Sequence, residues 1–256
     1  MTTWRVVGKS VRGASHESRG ENCQDAHGWA DRDGRVIMVV ADGAGSAPLG
    51  GLGATIAVAG ALEALTASTT DLQADVAAER SELVAAAYNA LKKLSDEAER
   101  RGVVVHDLAC TLIMTAVRQN SVCAAQIGDG AVVFRNGVEK ARLLTSPQRG
   151  EFVNETVFLT SQGALEQIEY AAADGDVTAV AAFTDGLEPI SLVFAEEAHD
   201  PFFRAVFDWL QSAKDGTTAG QVLEDFLLSA RVRARTDDDL TLVAAVAFSN
   251  SGPAGQ

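Results

Sequence analysis

The sequence predicts an α+β fold, with mainly antiparallel sheets sandwiched against each other and helices on the outside. Three observations predict it. Short runs rich in Val, Ile and Ala, bounded by Gly or Asp, read as strands. Several of them are apolar at every position, which implies burial on both faces. Strands and helices also come in blocks instead of strict alternation, which excludes a doubly wound parallel sheet. Taken in order, strands are expected at 4–7 and 36–41, followed by an Ala-rich, almost uniformly apolar core helix at 52–65. A helix with apolar residues at Leu83, Ala87, Ala90, Leu91, Leu94 and Ala98 is expected over Val76–Arg101. Next come strands at 111–117, 122–127, 131–135 and Val177–Phe183, with Gly128-Asp129-Gly130 read as a hairpin turn. A helix pair at 202–213 and 219–232, the second capped by Thr217-Thr218, precedes a last strand over Leu240–Phe248.

Composition narrows the function. Of 256 residues, 35 are acidic and 21 basic, a formal net charge of −14, while 47% are hydrophobic and so suffice for a core. Such an acid excess repels nucleic acid and anionic membrane surfaces. No uncharged apolar run reaches the roughly 18–20 residues of a membrane span, and the opening MTTWRVVGKSVRG lacks the apolar core of a signal peptide. The three cysteines, Cys23, Cys110 and Cys123, have no CxxC spacing and read as buried thiols. One domain over 1–249 is expected, with a small polar tail over 250–256 and a cytoplasmic location.

The aspartates carry the chemistry. Asp25, Asp42, Asp129, Asp185 and the run Asp237-Asp238-Asp239 each stand at or just beyond the end of an apolar run, and Asp42, Asp129 and Asp185 are each followed by Gly. A single Asp-Gly is a turn. Three beside strands point instead to carboxylates converging on a hard divalent cation, which takes oxygen ligands, with the glycine letting the backbone carbonyl approach. The four histidines show no HExxH spacing, the Gly-rich stretch after Asp42 lacks the Lys-Ser/Thr of a phosphate loop, and no Gly-x-Ser-x-Gly elbow is present.

In the order SHESRGENCQDAHGW, VVADGAGS, ACTLIMTAV, AQIGDGAVVFRNG, FTDGLEPI and TDDDLTLVAAV, the segments between about Gly13 and Phe248 resemble the metal-dependent PP2C-type serine/threonine phosphatases. EFVNETVFLTS is similar to the compact bacterial branch. The resemblance implies a four-layer αββα sandwich with a centre of two cations, Mn2+ or Mg2+, and a third, weaker one. By the same resemblance Asp42 would bridge the two ions, with the Gly43 carbonyl on the second. Asp185 and Asp238 would complete the first, and Asp129 would hold the third with Asp185. Gln24 and Asp25 would act near the second ion through water. The chain departs from the family pattern at Gly20, where an arginine usually grips the phosphate; Arg19 and His16 stand nearby as substitutes. It departs again at Ala44, where related enzymes carry a histidine, and at Gln24, which replaces a Glu.

The implied reaction is in-line attack on phosphorus by a water activated between two cations, with no phospho-enzyme. The substrate would be a phosphorylated protein, opposing a serine/threonine kinase, with neither nucleic acid nor membrane as partner. The missing arginine keeps open an inactive regulatory domain of the same fold, and the metal cluster alone does not exclude a small-molecule phosphohydrolase. His27 reads as a structural residue bonding a carboxylate, and Trp4, Trp29 and Trp209 as packing. Arg231, Arg233 and Arg235 read as charge balance beside the acidic site.

Overall fold

Uniformly apolar strands bury both faces only if something covers each side, and the chain meets that demand with layers. The computed structural model describes residues 3–67, 76–148, 156–213 and 215–248. The chain runs β1 (Thr3–Val11), α1 (Ala14–Arg19), β2 (Ala26–Arg32), β3 (Arg35–Ala41), α2 (Gly50–Ala67), α3 (Val76–Arg101), β4 (Leu112–Arg118) and β5 (Ser121–Ile127). It continues with β6 (Ala131–Asn136), β7 (Arg142–Thr145), β8 (Glu169–Asp174), β9 (Val177–Phe183), α4 (Glu188–Ser191), β10 (Leu192–Val193) and β11 (Glu197–Ala198). The last elements are α5 (Asp200–Ser212), α6 (Gly216–Leu227), α7 (Ala230–Arg233) and β12 (Leu240–Phe248).

Two five-stranded antiparallel sheets result, one in the order β1-β12-β9-β6-β7 and the other β2-β3-β4-β5-β8. Alternation along β3 shows the layering. Val36, Met38 and Val40 point inward to Val180, Ala182, Val243 and Ala245 of the facing sheet. Ile37, Val39 and Ala41 point outward to α2 and α3. On the far side Ala181, Phe183, Leu242 and Ala244 meet Phe203, Phe207 and Leu223 of α5 and α6. This is the four-layer αββα sandwich expected, and each buried Val, Leu or Phe contributes about 1.5–3 kcal/mol to it.

By length and composition α2 is apolar enough to cross a membrane, but here its Gly and Ala side is packed under the sheet and α3. The start of α3 is fixed by a buried ionic knot. The Arg35 guanidinium donates to Glu79 (2.6 Å) and Glu82 (2.5 Å), and Arg118 reaches Glu79 at 3.3 Å.

Several expectations are corrected. Gly128-Asp129-Gly130 is no hairpin, because β5 pairs with β4 and β8 while β6 pairs with β7 and β9. The segment carries the chain from one sheet to the other, with Gly128 at φ 111°. A two-residue hairpin with both central residues left-handed does join β2 to β3, through Asp33 (φ 54°) and Gly34 (φ 82°). The helix expected at 219–232 is two helices, and its cap is Asp215, whose carboxylate accepts from the Thr218 N–H at 2.8 Å. Elements α1, β2, β7, β8, α4, β10 and β11 escaped the sequence reading; half-exposed β2 and β8 lack an apolar run. Trp29 is 45% exposed and is not a packing residue, unlike buried Trp4. The tail 250–256 and the stretch 151–155 of EFVNETVFLTS lie outside the described residues.

Candidate metal centre

Strand register brings the aspartates together. Ala26 pairs with Ala41, so Asp25, just before β2, and Asp42, just after β3, leave the same end of one sheet. In the other sheet Phe183 pairs with both Ala131 and Leu242, which puts Asp185, Asp129 and Asp238 at one end as well. Each stands where a strand stops, so its carboxylate is free of the ladder. The Asp42 backbone is clamped by Thr111, whose hydroxyl accepts the Asp42 N–H (2.9 Å) and whose N–H donates to the Asp42 carbonyl (2.8 Å). The Gly43 N–H donates to the Gln24 carbonyl at 3.1 Å, joining the two carboxylate loops. A side chain at Gly43 would collide with the start of α2, so only glycine lets the backbone run this close.

The carboxylates feel each other strongly. Burial, then the charges of Asp25 and Asp185, push Asp42 well above the usual carboxylate range. Burial lifts Asp25 to about 7 against the opposing hydrogen bond from the Thr184 hydroxyl (2.7 Å). Asp185 rises to about 7 through burial and the charges of Asp129, Asp238 and Asp25. Asp238 shifts upward, again chiefly by burial. Such a cluster holds protons or a cation, since like charges in one cleft cannot all ionise unpaired. Among the described residues no three His, Cys, Asp or Glu side chains already form a closed cage. The donor set, however, is oxygen throughout, and the buried Gln24 Oε1 has no hydrogen-bond partner. That chemistry suits Mg2+ or Mn2+ and not a soft metal.

The structure separates neighbours that the sequence could not. Asp239 is 2% exposed. Its carboxylate accepts from the backbone N–H of Gly13 (2.6 Å) and Gln24 (2.5 Å). Asp238 stays outside that knot, within the field of Asp42 and Asp185. His16 is buried with Nδ1 2.9 Å from Asp239 Oδ2, out of line for a hydrogen bond, so it faces the anchor carboxylate and not solvent. Arg19 is exposed and donates to Glu21 (2.8 Å) and Ser15 (2.7 Å). Gly20 ends α1 at φ 70°, a left-handed cap whose N–H closes on Glu17; an arginine there would be strained.

His27 is no carboxylate partner, because its Nδ1 lies 2.8 Å from the Ser10 hydroxyl, and burial lowers its proton affinity. Asp129 accepts from the Thr156 hydroxyl at 2.6 Å. Sequence reasoning missed Thr111, Thr156, Thr184 and Asp239. The signal present for Thr111 and Thr184 was a threonine abutting each apolar run at the end where the aspartates collect. Cys23 is half-buried, Cys110 and Cys123 buried, all three free, and burial raises each thiol.

Fold and site together define an αββα sandwich with an acidic, oxygen-donor centre at one end of its sheets. Residues 12–228 match the family described as Protein phosphatase 2C. The chain is 34% identical over 253 residues to Serine/threonine-protein phosphatase 3 of Escherichia coli (strain K12), covering 95% of this chain and 98% of that one. PppA of Pseudomonas aeruginosa, described as a key regulatory component of T6SS, superposes with a TM-score of 0.66 at 20% identity, over 96% of this chain and 98% of that one. The Mycobacterium tuberculosis serine/threonine phosphatase PstP/Ppp superposes with a TM-score of 0.66 at 16% identity, over 97% and 100%. The PstP catalytic domain in complex with two manganese ions gives 0.66 at 18% identity, over 97% and 100%. The chain belongs to the protein phosphatase 2C family, and it is a serine/threonine phosphatase of that type.

Proposed function

We propose that this enzyme hydrolyses phosphoserine and phosphothreonine in proteins at the carboxylate centre, with two divalent cations, Mn2+ or Mg2+. Asp42 would be shared between them, the Gly43 carbonyl would serve the second, and Asp185 and Asp238 would complete the first. Asp129 with Asp185 would hold a weaker third ion, and Gln24 and Asp25 would act around the second. When bound, the ions make water a nucleophile near neutral pH and neutralise the phosphoryl oxygens. The protein's own part is to hold the acids. Thr111 clamps the Asp42 backbone, Thr184 bonds Asp25, and Asp239 ties the loops bearing Gly13 and Gln24.

The observation that carries the assignment is the convergence of Asp25, Asp42, Asp129, Asp185 and Asp238 at the ends of the paired strands, close enough that Asp25, Asp185 and Asp238 all act on buried Asp42. An inactive regulatory domain would have no use for such repulsion, so the missing arginine at Gly20 does not outweigh it. A cytoplasmic enzyme opposing a protein kinase, independent of nucleic acid and membrane, fits the net charge of −14.

The test is hydrolysis of p-nitrophenyl phosphate and of phosphoserine peptides with and without Mn2+. Activity should require the metal and fall about a thousandfold or more in Asp42→Ala and Asp185→Ala. Turnover unchanged by either substitution, or equal in chelator, would sink the assignment.

A further inference from the structure

A second concavity lies apart from the carboxylate centre. A groove of about 660 Å³ opens on the outer face between α4, the β10–β11 hairpin, α5, α6 and α7, lined by Phe194, Phe202, Trp209, Val222, Phe226 and Val232 among others. Two of its walls run directly into the centre. Helix α4 starts three residues after Asp185, and α7 ends five residues before Asp238.

Three features mark the groove as a binding surface. Its rim leaves apolar groups in water, with Phe194 92% exposed and Val193 and Val222 exposed beside it. Phe194 and Ala195 occupy the two central positions of the β10–β11 turn at φ 53° and 59°, closed by the Glu196 N–H on the Val193 carbonyl at 3.1 Å. That turn favours Asn-Gly, and a bulky Phe in a left-handed conformation costs free energy while leaving its ring in water. The third feature is charge. In a chain of net charge −14, Arg231 and Arg235 line the groove without an ion-pair partner among the described residues, whereas Arg233 between them pairs with Glu17 at 2.8 Å.

We propose that this groove docks an apolar segment of the phosphoprotein substrate, one that carries acidic residues to meet Arg231 and Arg235. Its phosphorylated side chain meanwhile reaches the carboxylate centre. The inference rests on the phosphatase reading above. Charge selects the occupant: a short segment with a few acidic residues meets Arg231 and Arg235 at small cost, whereas a second copy of this chain brings fourteen net negative charges, and an extended anionic lipid surface many more, against the fourteen already here. A small molecule enclosed in the groove would leave Phe194 without a role. Anchoring away from the reacting phosphate lowers KM and leaves turnover of small esters untouched.

The experiment is a positional-scanning library of phosphoserine peptides in Mn2+, with p-nitrophenyl phosphate as the control substrate. The variants are Phe194→Ser and Arg231→Glu, both exposed positions away from the metal residues. The wild type should favour Leu or Phe with neighbouring Glu at a fixed distance from phosphoserine, by about tenfold in kcat/KM through KM. Each variant should erase that preference with p-nitrophenyl phosphate turnover unchanged. Robust hydrolysis with a flat profile, or a preference that survives both variants, overturns the docking groove and leaves the phosphatase standing. Hydrolysis of p-nitrophenyl phosphate alone, with every phosphopeptide refused, overturns the protein-substrate reading and the groove with it.

Discussion

Asp238 and Asp239 are chemically identical and adjacent, yet they do opposite things. Asp239 is buried as the acceptor of two backbone N–H groups, while among the described residues Asp238 accepts only the Asp239 N–H, at 2.8 Å, and lies in the field of the other acids. Replacing each by alanine should therefore separate stability from metal affinity. Asp239→Ala removes two charge-assisted bonds and should cost about 2–3 kcal/mol, a drop of several degrees in Tm by differential scanning fluorimetry. Asp238→Ala should leave Tm in chelator nearly unchanged and weaken Mn2+ uptake by calorimetry at least tenfold. The reverse pattern would show that the wrong member of the run was assigned to the metal.

Elements deliver these side chains through two devices that the hydrophobic pattern does not announce. One is the crossing at Gly128, where φ is 111° and an added β-carbon would strike Thr111, the residue that clamps Asp42. Gly128→Ala is expected to destabilise by about 1–3 kcal/mol and to lower activity beyond what the loss of folded protein explains, because Thr111 must move; denaturant titration alongside specific activity reads both. The other is the ionic knot at the start of α3. Glu79→Ala strands buried Arg35 without its main partner, so a loss of about 3–5 kcal/mol is expected in chemical denaturation, while metal affinity per folded molecule stays constant.

At the scale of the whole molecule, the acidic centre links stability to pH and to cations. Asp25 and Asp185 titrate near 7 in the folded chain against an ordinary value of 3.8. Between roughly pH 4 and 7 the folded state therefore binds more protons than the unfolded one, and stability falls as pH rises through that window. In chelator the protein should melt higher at pH 5 than at pH 8. Mn2+ takes the protons' place, so it should raise Tm most at pH 8 and release protons on binding near pH 6.5. A chelated protein more stable at pH 8 than at pH 5 would contradict this account of the cluster.

The one-dimensional pattern was enough for the two-sheet sandwich, for α3 and for the aspartates that gather at one end of the sheets, because an apolar run buried on both faces leaves one kind of mark and a strand-end Asp-Gly another. Half-exposed β2 and β8 left no such mark, and the break between α6 and α7 hides inside a continuous helical periodicity. Tertiary structure alone decided that Gly128-Asp129-Gly130 steps between sheets, that Asp239 is an anchor and Asp238 is not, and that Thr184 reaches Asp25 across 159 positions of chain. The physical reason is range. Burial pattern is a local consequence of residue type, whereas the partner of a buried polar group is fixed by registers between strands far apart in the chain, which no neighbouring residue encodes.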